Sequence, residues 1–164
     1  MTISAGEIQK LIDDEMKSLK DDRVLSHIRS LLIKPTPEYR DWDYGEPGQQ
    51  YLCWIVLDHP ASGSGIAYCE EGFGPSNPWG LIGTDPNKLQ NMGMDSQWFP
   101  SFLDAYFDSF ASTELPIWCI FQTDEHGVYL PISKELEWYD CWDQIMKLRE
   151  KNPDIRYDCR HTII

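Results

Sequence analysis

Apolar side chains recur every three or four positions over residues 5–19, and this period predicts an amphipathic helix. Ser4 and Glu7 form the S-x-x-E pattern of a capping box, which places the start of that helix. The same spacing continues over residues 21–33 and predicts a second helix, which must end before Pro35. The chain therefore opens with two predicted helices.

The pattern changes in the middle of the chain. Residues 35–50 show no sustained period and contain several prolines and glycines, so they predict a long acidic and aromatic loop. Residues 51–57 form a continuous apolar run, which is typical of a strand buried on both faces. The breaker-rich segment 58–65 then predicts a turn into a second arm at 66–69, and a brief strand is predicted at 79–82.

A helix and a hairpin are predicted next. Proline is preset for a first helical turn, so a helix is expected from Pro100, with an apolar stripe that runs from Phe102 to Phe110. Two apolar arms at 116–122 and 128–132 flank a polar turn that contains glycine, and they predict a β-hairpin.

The end of the chain predicts one more helix and one more strand. Residues 134–150 carry a helical apolar stripe, with Ser133 as the expected N-cap. Residues 155–164 alternate apolar and charged side chains at their start and predict an edge strand. Hairpins between helices indicate an α+β fold: a mostly antiparallel sheet with two N-terminal helices, a central aromatic-rich helix and a C-terminal helix. No repeat, linker or change of composition divides the chain, so a single domain is expected over 1–164.

The composition of the chain is unusual in two respects: it is strongly acidic and rich in aromatic residues. The 164 residues are 41% hydrophobic and 25% charged, which is typical of globular proteins. The formal net charge is -13, and the chain holds 7 Trp, 8 Tyr and 6 Phe. A charge of this sign opposes binding to nucleic-acid phosphates or anionic membranes and favours a cationic protein partner. The charge does not predict an oligomeric state.

The negative charge is concentrated in the middle of the chain. Residues 1–34 are neutral and residues 144–164 carry a net charge of +2, whereas 35–84 carry -6 and 85–143 carry -9. Within this region acids stand beside aromatic residues and glycine–proline turns, as in the runs 41–44, 70–73 and 137–140.

Acids beside aromatic residues are typical of a contact surface for a cationic protein. Aromatic rings supply buried contact area, and surrounding carboxylates attract a cationic partner. The alternative is that the rings pack in the core and the acids only solvate the surface. On the first interpretation Trp42 and Phe73 are the expected anchors. The candidate partner-binding residues are Asp41, Trp42, Asp43, Glu46, Glu70, Glu71, Phe73, Asp124 and Glu125.

The five cysteines predict neither zinc binding nor a disulfide framework. Their number is odd and no C-x-x-C pair occurs, whereas zinc sites usually take ligands in close pairs. Cys53 and Cys119 lie in apolar runs, where free thiols behave as small hydrophobic side chains. Reduced cysteines, an N-terminus without a signal-peptide pattern and no apolar run of membrane-spanning length together predict a cytoplasmic protein.

The sequence holds fragments of catalytic and cofactor motifs, but none is complete. Cys53 or Cys69 could meet His59 if the predicted hairpin brings them together, but the nearby carboxylates would raise the pKa of a thiol. The segment 72–77 lacks the third glycine of a dinucleotide loop, and the run from Asp41 has Leu52 at the twelfth position, where calcium needs a carboxylate. No catalytic residue, metal or cofactor is therefore assigned.

In its general properties the chain resembles the immunity proteins that bacteria produce alongside polymorphic or contact-dependent growth-inhibition toxins. The resemblance rests on composition over the whole chain: small, strongly acidic, rich in tryptophan and without a catalytic motif. It implies a protein that binds a cognate toxin domain, commonly a basic nuclease, and occludes its active or substrate-binding surface. Two alternatives stay open: a small hydrolase that uses Cys69 and His59 or paired carboxylates, and a module that binds basic peptides.

Overall fold

The computed structural model describes residues 2–88, 90–94 and 96–163. It has an α+β fold with 29% helix and 31% strand, as the sequence predicts, but the strands form two antiparallel sheets. The contacts divide the chain into two compact units, Met1–Ser112 (unit 1) and Thr113–Ile164 (unit 2), and each is described by itself. The single domain expected over 1–164 stays a prediction.

Unit 1 begins with the two helices that the apolar spacing predicts. Helix α1 spans Ala5–Met16 and helix α2 spans Asp22–Leu31. The capping box is confirmed, because the Glu7 N–H donates to Ser4 Oγ and the Ser4 N–H donates to Glu7 Oε2. Both helices pack their apolar stripes inward, and α1 contacts the first strand of the sheet while α2 contacts the second.

The sheet of unit 1 has five strands in sequential order, each antiparallel to its neighbour. Its strands are β1 (Leu32–Asp41), β2 (Gln50–His59), β3 (Ser64–Tyr68), β4 (Trp79–Gly83) and β5 (Trp98–Phe99). The prediction for β2 is confirmed, since Ile55 pairs with Ala67 and Leu57 pairs with Ile66, so the two side chains lie on opposite faces of the sheet, and both are buried. The predicted hairpin arm and brief strand correspond to β3 and β4.

The loop predicted over residues 35–50 is wrong in its first half. Strand β1 follows α2 directly and pairs with β2 from Thr36 opposite Ile55 to Asp41 opposite Gln50. The sequence did not predict this strand because it contains Pro35 and Pro37, and a proline cannot donate a hydrogen bond to a neighbouring strand. The sheet accepts them because β1 is its edge strand.

Helix α3 spans Phe102–Asp108 and packs against β3, β4 and β5. It begins two residues after Pro100, with Ser101 as its N-cap. Phe110 was predicted on the same stripe, but it lies beyond the end of the helix and its side chain is exposed. A short 3-10 helix, Ala111–Glu114, follows.

Unit 2 consists of a three-stranded antiparallel sheet and one helix. Its elements in chain order are β6 (Trp118–Thr123), β7 (Tyr129–Pro131), α4 (Trp138–Lys151) and β8 (Arg156–His161), and the sheet order is β7-β6-β8. The predicted hairpin is confirmed as β6 and β7, and the predicted edge strand is confirmed as β8. Ile164, the last residue of that prediction, lies outside the described residues.

The predicted start of α4 is wrong by four residues. Leu136 exchanges two backbone hydrogen bonds with Trp118 of β6, so the segment before α4 continues the sheet pairing. Ser133 does not cap the helix. Its Oγ instead accepts a hydrogen bond from the Ile120 N–H at 2.8 Å. The helix begins only after Glu137, whose side chain makes no capping bond.

Candidate functional site

The indole of Trp42, directly after β1, lies at the centre of an aromatic cluster. Its ring centroid is 5.1 Å from that of Phe73, 5.4 Å from that of Tyr44 and 5.6 Å from that of Tyr51. The contacts with Phe73 and Tyr44 are edge-to-face, the geometry that ring quadrupoles favour. Two of the predicted anchors, Trp42 and Phe73, are thus brought into direct contact although 31 positions separate them in the chain.

Two glycines let distant loops approach Trp42 closely. A Cβ placed on Gly72 would lie 3.0 Å from Trp42 Cζ3, and one placed on Gly93 would lie 3.3 Å from the same atom. Gly72 also has a backbone φ of +74°, which residues other than glycine rarely adopt. The loop after β3 and the segment 90–94 therefore meet at one edge of the Trp42 ring.

Asp43 ties the segment 90–94 to the end of β1. Its N–H donates to the Met92 carbonyl at 3.0 Å, while its carboxylate accepts the Met94 N–H and the Asn91 side-chain amide, each at 2.9 Å. Both carboxylate oxygens are engaged within the chain. The structure thus gives Asp43, which was predicted to contact a partner, a positioning role for Met94.

Three large apolar side chains in this region face solvent: Tyr44 and Phe73, whose rings contact Trp42, and Met94, which follows Gly93 in the chain. The exposed fractions are 59% for Tyr44, 43% for Phe73 and 66% for Met94, whereas Trp42 itself is half-buried. We call these four residues the Trp42 patch. Because Trp42 itself is half-buried, the exposed contact area belongs mainly to Tyr44, Phe73 and Met94.

Four exposed carboxylates lie near the patch in the chain: Asp41 at the end of β1, and Glu46, Glu70 and Glu71 in the loops. Asp41 accepts a hydrogen bond from Gln50 Nε2 at 2.8 Å, and Glu70 accepts one from the Tyr68 hydroxyl at 3.2 Å. Within residues 2–88, 90–94 and 96–163, none of the four forms an ion pair with a lysine or arginine. The negative charge around the patch is therefore not neutralised by these basic side chains.

Arg40 is the one basic residue between positions 35 and 84, and it points inward. Its side chain is 1% exposed, and its guanidinium donates to Glu38 Oε2 at 3.1 Å and to the Gln90 carbonyl at 3.3 Å. The positive charge of Arg40 is therefore used for contacts inside the protein. Its position beneath the surface leaves the four exposed carboxylates without a counter-charge from their own stretch of chain.

The remaining two predicted contact residues belong to unit 2. Asp124 Oδ1 accepts the N–H groups of His126 and Val128, each at 2.8 Å, and so shapes the turn between β6 and β7. Glu125 is exposed, and its Oε1 lies 3.5 Å from His126 Nε2. Asp124 therefore has a turn-forming role.

The hairpin does not bring Cys69 and His59 together, so that prediction is corrected. In the register of β2 and β3, His59 is opposite Ser64, whereas Tyr68, just before Cys69, is opposite Trp54. Ser64 and Cys69 are five positions apart, about 16 Å along a strand. The buried His59 instead contacts Ser62, with Nδ1 2.7 Å from the Ser62 Oγ.

Cys53 and Cys69 are both fully buried, beside Met92 in the core under the patch. The hydrogen bond that the Cys53 thiol donates to Cys69, together with burial, raises the pKa of Cys53, which disfavours a nucleophilic thiolate there. All five cysteines are free. In the described residues no three His, Cys, Asp or Glu side chains converge to hold a metal ion.

Sequence reasoning missed Tyr44 and Met94. Tyr44 stands inside the acidic and aromatic run after β1, so its composition was a usable signal. Met94 gave no signal, because its segment approaches Trp42 only at Gly93, through the backbone pairing of Met92 with Asp41 and Asp43.

Comparison with known proteins adds no relative: no family model, no curated protein and no solved structure matches this chain. Of the helices in the described part of the chain, none has the length and apolar character needed to cross a membrane.

Proposed function

We propose that this protein is an immunity protein, which binds a cationic bacterial toxin domain through the Trp42 patch and blocks its active or substrate-binding surface. The supporting observation is the exposed Tyr44, Phe73 and Met94 among four carboxylates that have no cationic partner in the described chain. Aromatic and methionine side chains provide adaptable contact area, and the carboxylates select a cationic partner.

A basic nuclease is the toxin class that fits this surface best. Enzymes that bind nucleic acids carry cationic surfaces because they bind phosphates, so an acidic inhibitor competes for the same groups. Charge of opposite sign raises association rates toward about 10⁸–10⁹ M⁻¹s⁻¹ at low salt. The net charge of -13 supports rapid capture of such an enzyme. Its site of action on this proposal is the cytoplasm, where free thiols such as these five persist.

The test expresses the C-terminal domain of the protein encoded beside this one, which the proposal expects to be cationic. Its association with the purified chain is measured by stopped-flow fluorescence over a range of salt concentrations, and its toxicity is measured with and without co-expression. The double variant Glu70→Lys/Glu71→Lys is expected to slow association at least about tenfold at low salt, with the difference shrinking as salt screens the charges.

A matched control reverses two other adjacent, exposed acids, Asp13 and Asp14 on α1, to lysine. It makes the same change in net charge far from the patch in the chain, and a smaller effect is expected. Equal slowing by both double variants would show that only net charge matters and would contradict the patch. If the domain of the neighbouring protein neither binds this chain nor is inhibited by it, toxin neutralisation is contradicted. If only basic peptides bind, weakly and displaceably, the peptide-binding module is favoured instead.

A further inference from the structure

The rings and the carboxylates of the proposed surface are close enough to contact one cationic side chain together. Glu46 is two positions from Tyr44, and Glu71 and Glu70 are two and three positions from Phe73. Three positions span at most about 11 Å of chain, even when fully extended. The Tyr44 and Phe73 rings are themselves in contact, with centroids 6.1 Å apart. A cation that rests on either ring is therefore within reach of a glutamate side chain.

Elsewhere in the same chain, an arginine binds an aromatic ring and a carboxylate together. In unit 2 the guanidinium of Arg160 lies 3.7 Å from the ring centroid of Tyr129. Its Nε donates to Asp158 Oδ2 at 3.0 Å, so one arginine stacks on a ring and binds a carboxylate at once. Both contacts are made by a planar group with several donors in its own plane.

Arginine and lysine differ most at such a site. A guanidinium is weakly hydrated, stacks flat on aromatic rings and keeps its in-plane N–H groups free for carboxylates. A lysine ammonium is strongly hydrated and meets carboxylates as a point charge without a stacking face. Carboxylates also bind the guanidinium fork more specifically than an ammonium, so the share of the preference that comes from the rings is measured by removing the rings alone.

We infer that the partner inserts an arginine at the Trp42 patch, its guanidinium stacked on Tyr44 or Phe73 and hydrogen-bonded to Glu46, Glu70 or Glu71. The inference rests on the proposed function, because it specifies the chemistry of the partner at that surface. Trp42 contacts the two exposed rings, and Gly72 lets the loop that carries Phe73 close onto it.

The test compares hexa-arginine with hexa-lysine, which carry equal charge, by calorimetric titration of the full chain at one ionic strength. Hexa-arginine is expected to bind about tenfold more tightly, in line with one desolvated cation–ring contact. The double variant Tyr44→Leu/Phe73→Leu keeps apolar side chains but removes the ring faces. It is expected to reduce the preference for arginine severalfold, while the affinity for hexa-lysine stays the same.

A matched control replaces Tyr139, whose exposed ring lies on α4, with leucine and is expected to keep the preference. If the arginine preference is undiminished in the Tyr44→Leu/Phe73→Leu variant, the inference is wrong. If both peptides bind equally and Glu70→Lys/Glu71→Lys weakens both, the inference fails while the cation-binding surface stands. If that charge reversal changes neither affinity, the surface of the proposed function is itself wrong, and the inference falls with it.

Discussion

The carboxylate of Glu15 on α1 accepts the backbone N–H of Phe102 at 3.0 Å and that of Leu103 at 2.9 Å. These are the first two residues of α3, whose N–H groups have no partner within the helix. Ser101 Oγ accepts the next free N–H, from Asp104, at 3.0 Å. One side chain from the start of the chain thus completes the first turn of a helix 87 positions away.

The Glu15→Gln variant is expected to lower the free energy of unfolding by about 1–2 kcal/mol, because an amide offers one acceptor atom and turns a donor toward the second N–H. Urea denaturation followed by circular dichroism measures the change. Asp14→Asn is the control, since Asp14 bonds only the exposed Lys17, and its unfolding midpoint should match the wild type. Equal midpoints for both variants would contradict the capping role.

The Gly72→Ala and Gly74→Ala variants separate backbone strain from the contact with Trp42. Both glycines have positive φ, +74° and +79°, so each alanine should cost about 1–2 kcal/mol. A Cβ on Gly74 meets nothing within 4 Å, whereas one on Gly72 presses on the Trp42 ring. A further loss of about 1–3 kcal/mol is expected for Gly72→Ala only, measured by urea denaturation. Identical losses would show that the loop does not rest on Trp42.

The Asp43→Asn variant is expected to loosen the segment that carries Met94. An asparagine can accept only one of the two hydrogen bonds that the Asp43 carboxylate now accepts, so the free energy of unfolding should fall by about 1–3 kcal/mol. Hydrogen exchange of the Met94 amide should also become faster. Asp41→Asn tests the alternative that any loss of charge here destabilises the protein. Asp41 accepts only a surface bond from Gln50, so its variant should change unfolding by less than about 0.5 kcal/mol.

Stability should fall at alkaline pH because of Tyr68. Burial, together with the charge and hydrogen bond of Glu70, raises the pKa of the Tyr68 phenol to about 12, from about 10 in an unfolded chain. The folded state thus prefers the neutral phenol, and this contribution is present below pH 10 and lost as pH rises toward 12. Urea denaturation at pH 8 and pH 11 should show a larger loss for the wild type than for Tyr68→Phe. Equal losses in the two proteins would contradict this assignment.

The elements that could be predicted are those in which local chemistry and tertiary packing agree. The capping box at Ser4 and the apolar period of α1 place that helix from within one segment. The hairpin of β6 and β7 follows from two apolar arms around a glycine turn. Strand β1 escaped prediction because Pro35 and Pro37 oppose strand pairing locally, and only an edge position in the sheet makes them acceptable.

In the candidate site, too, some features follow from the sequence and others only from the tertiary structure. The order of residues alone places acids beside Trp42 and Phe73 and predicts a cationic partner, because charge and side-chain type are carried by the residues themselves. Which of these side chains meet was decided by the fold: the register of β2 and β3 separates Cys69 from His59, and two loops close on Trp42 at Gly72 and Gly93. Contacts between distant segments depend on strand register and loop closure, which arise only when the whole sheet packs.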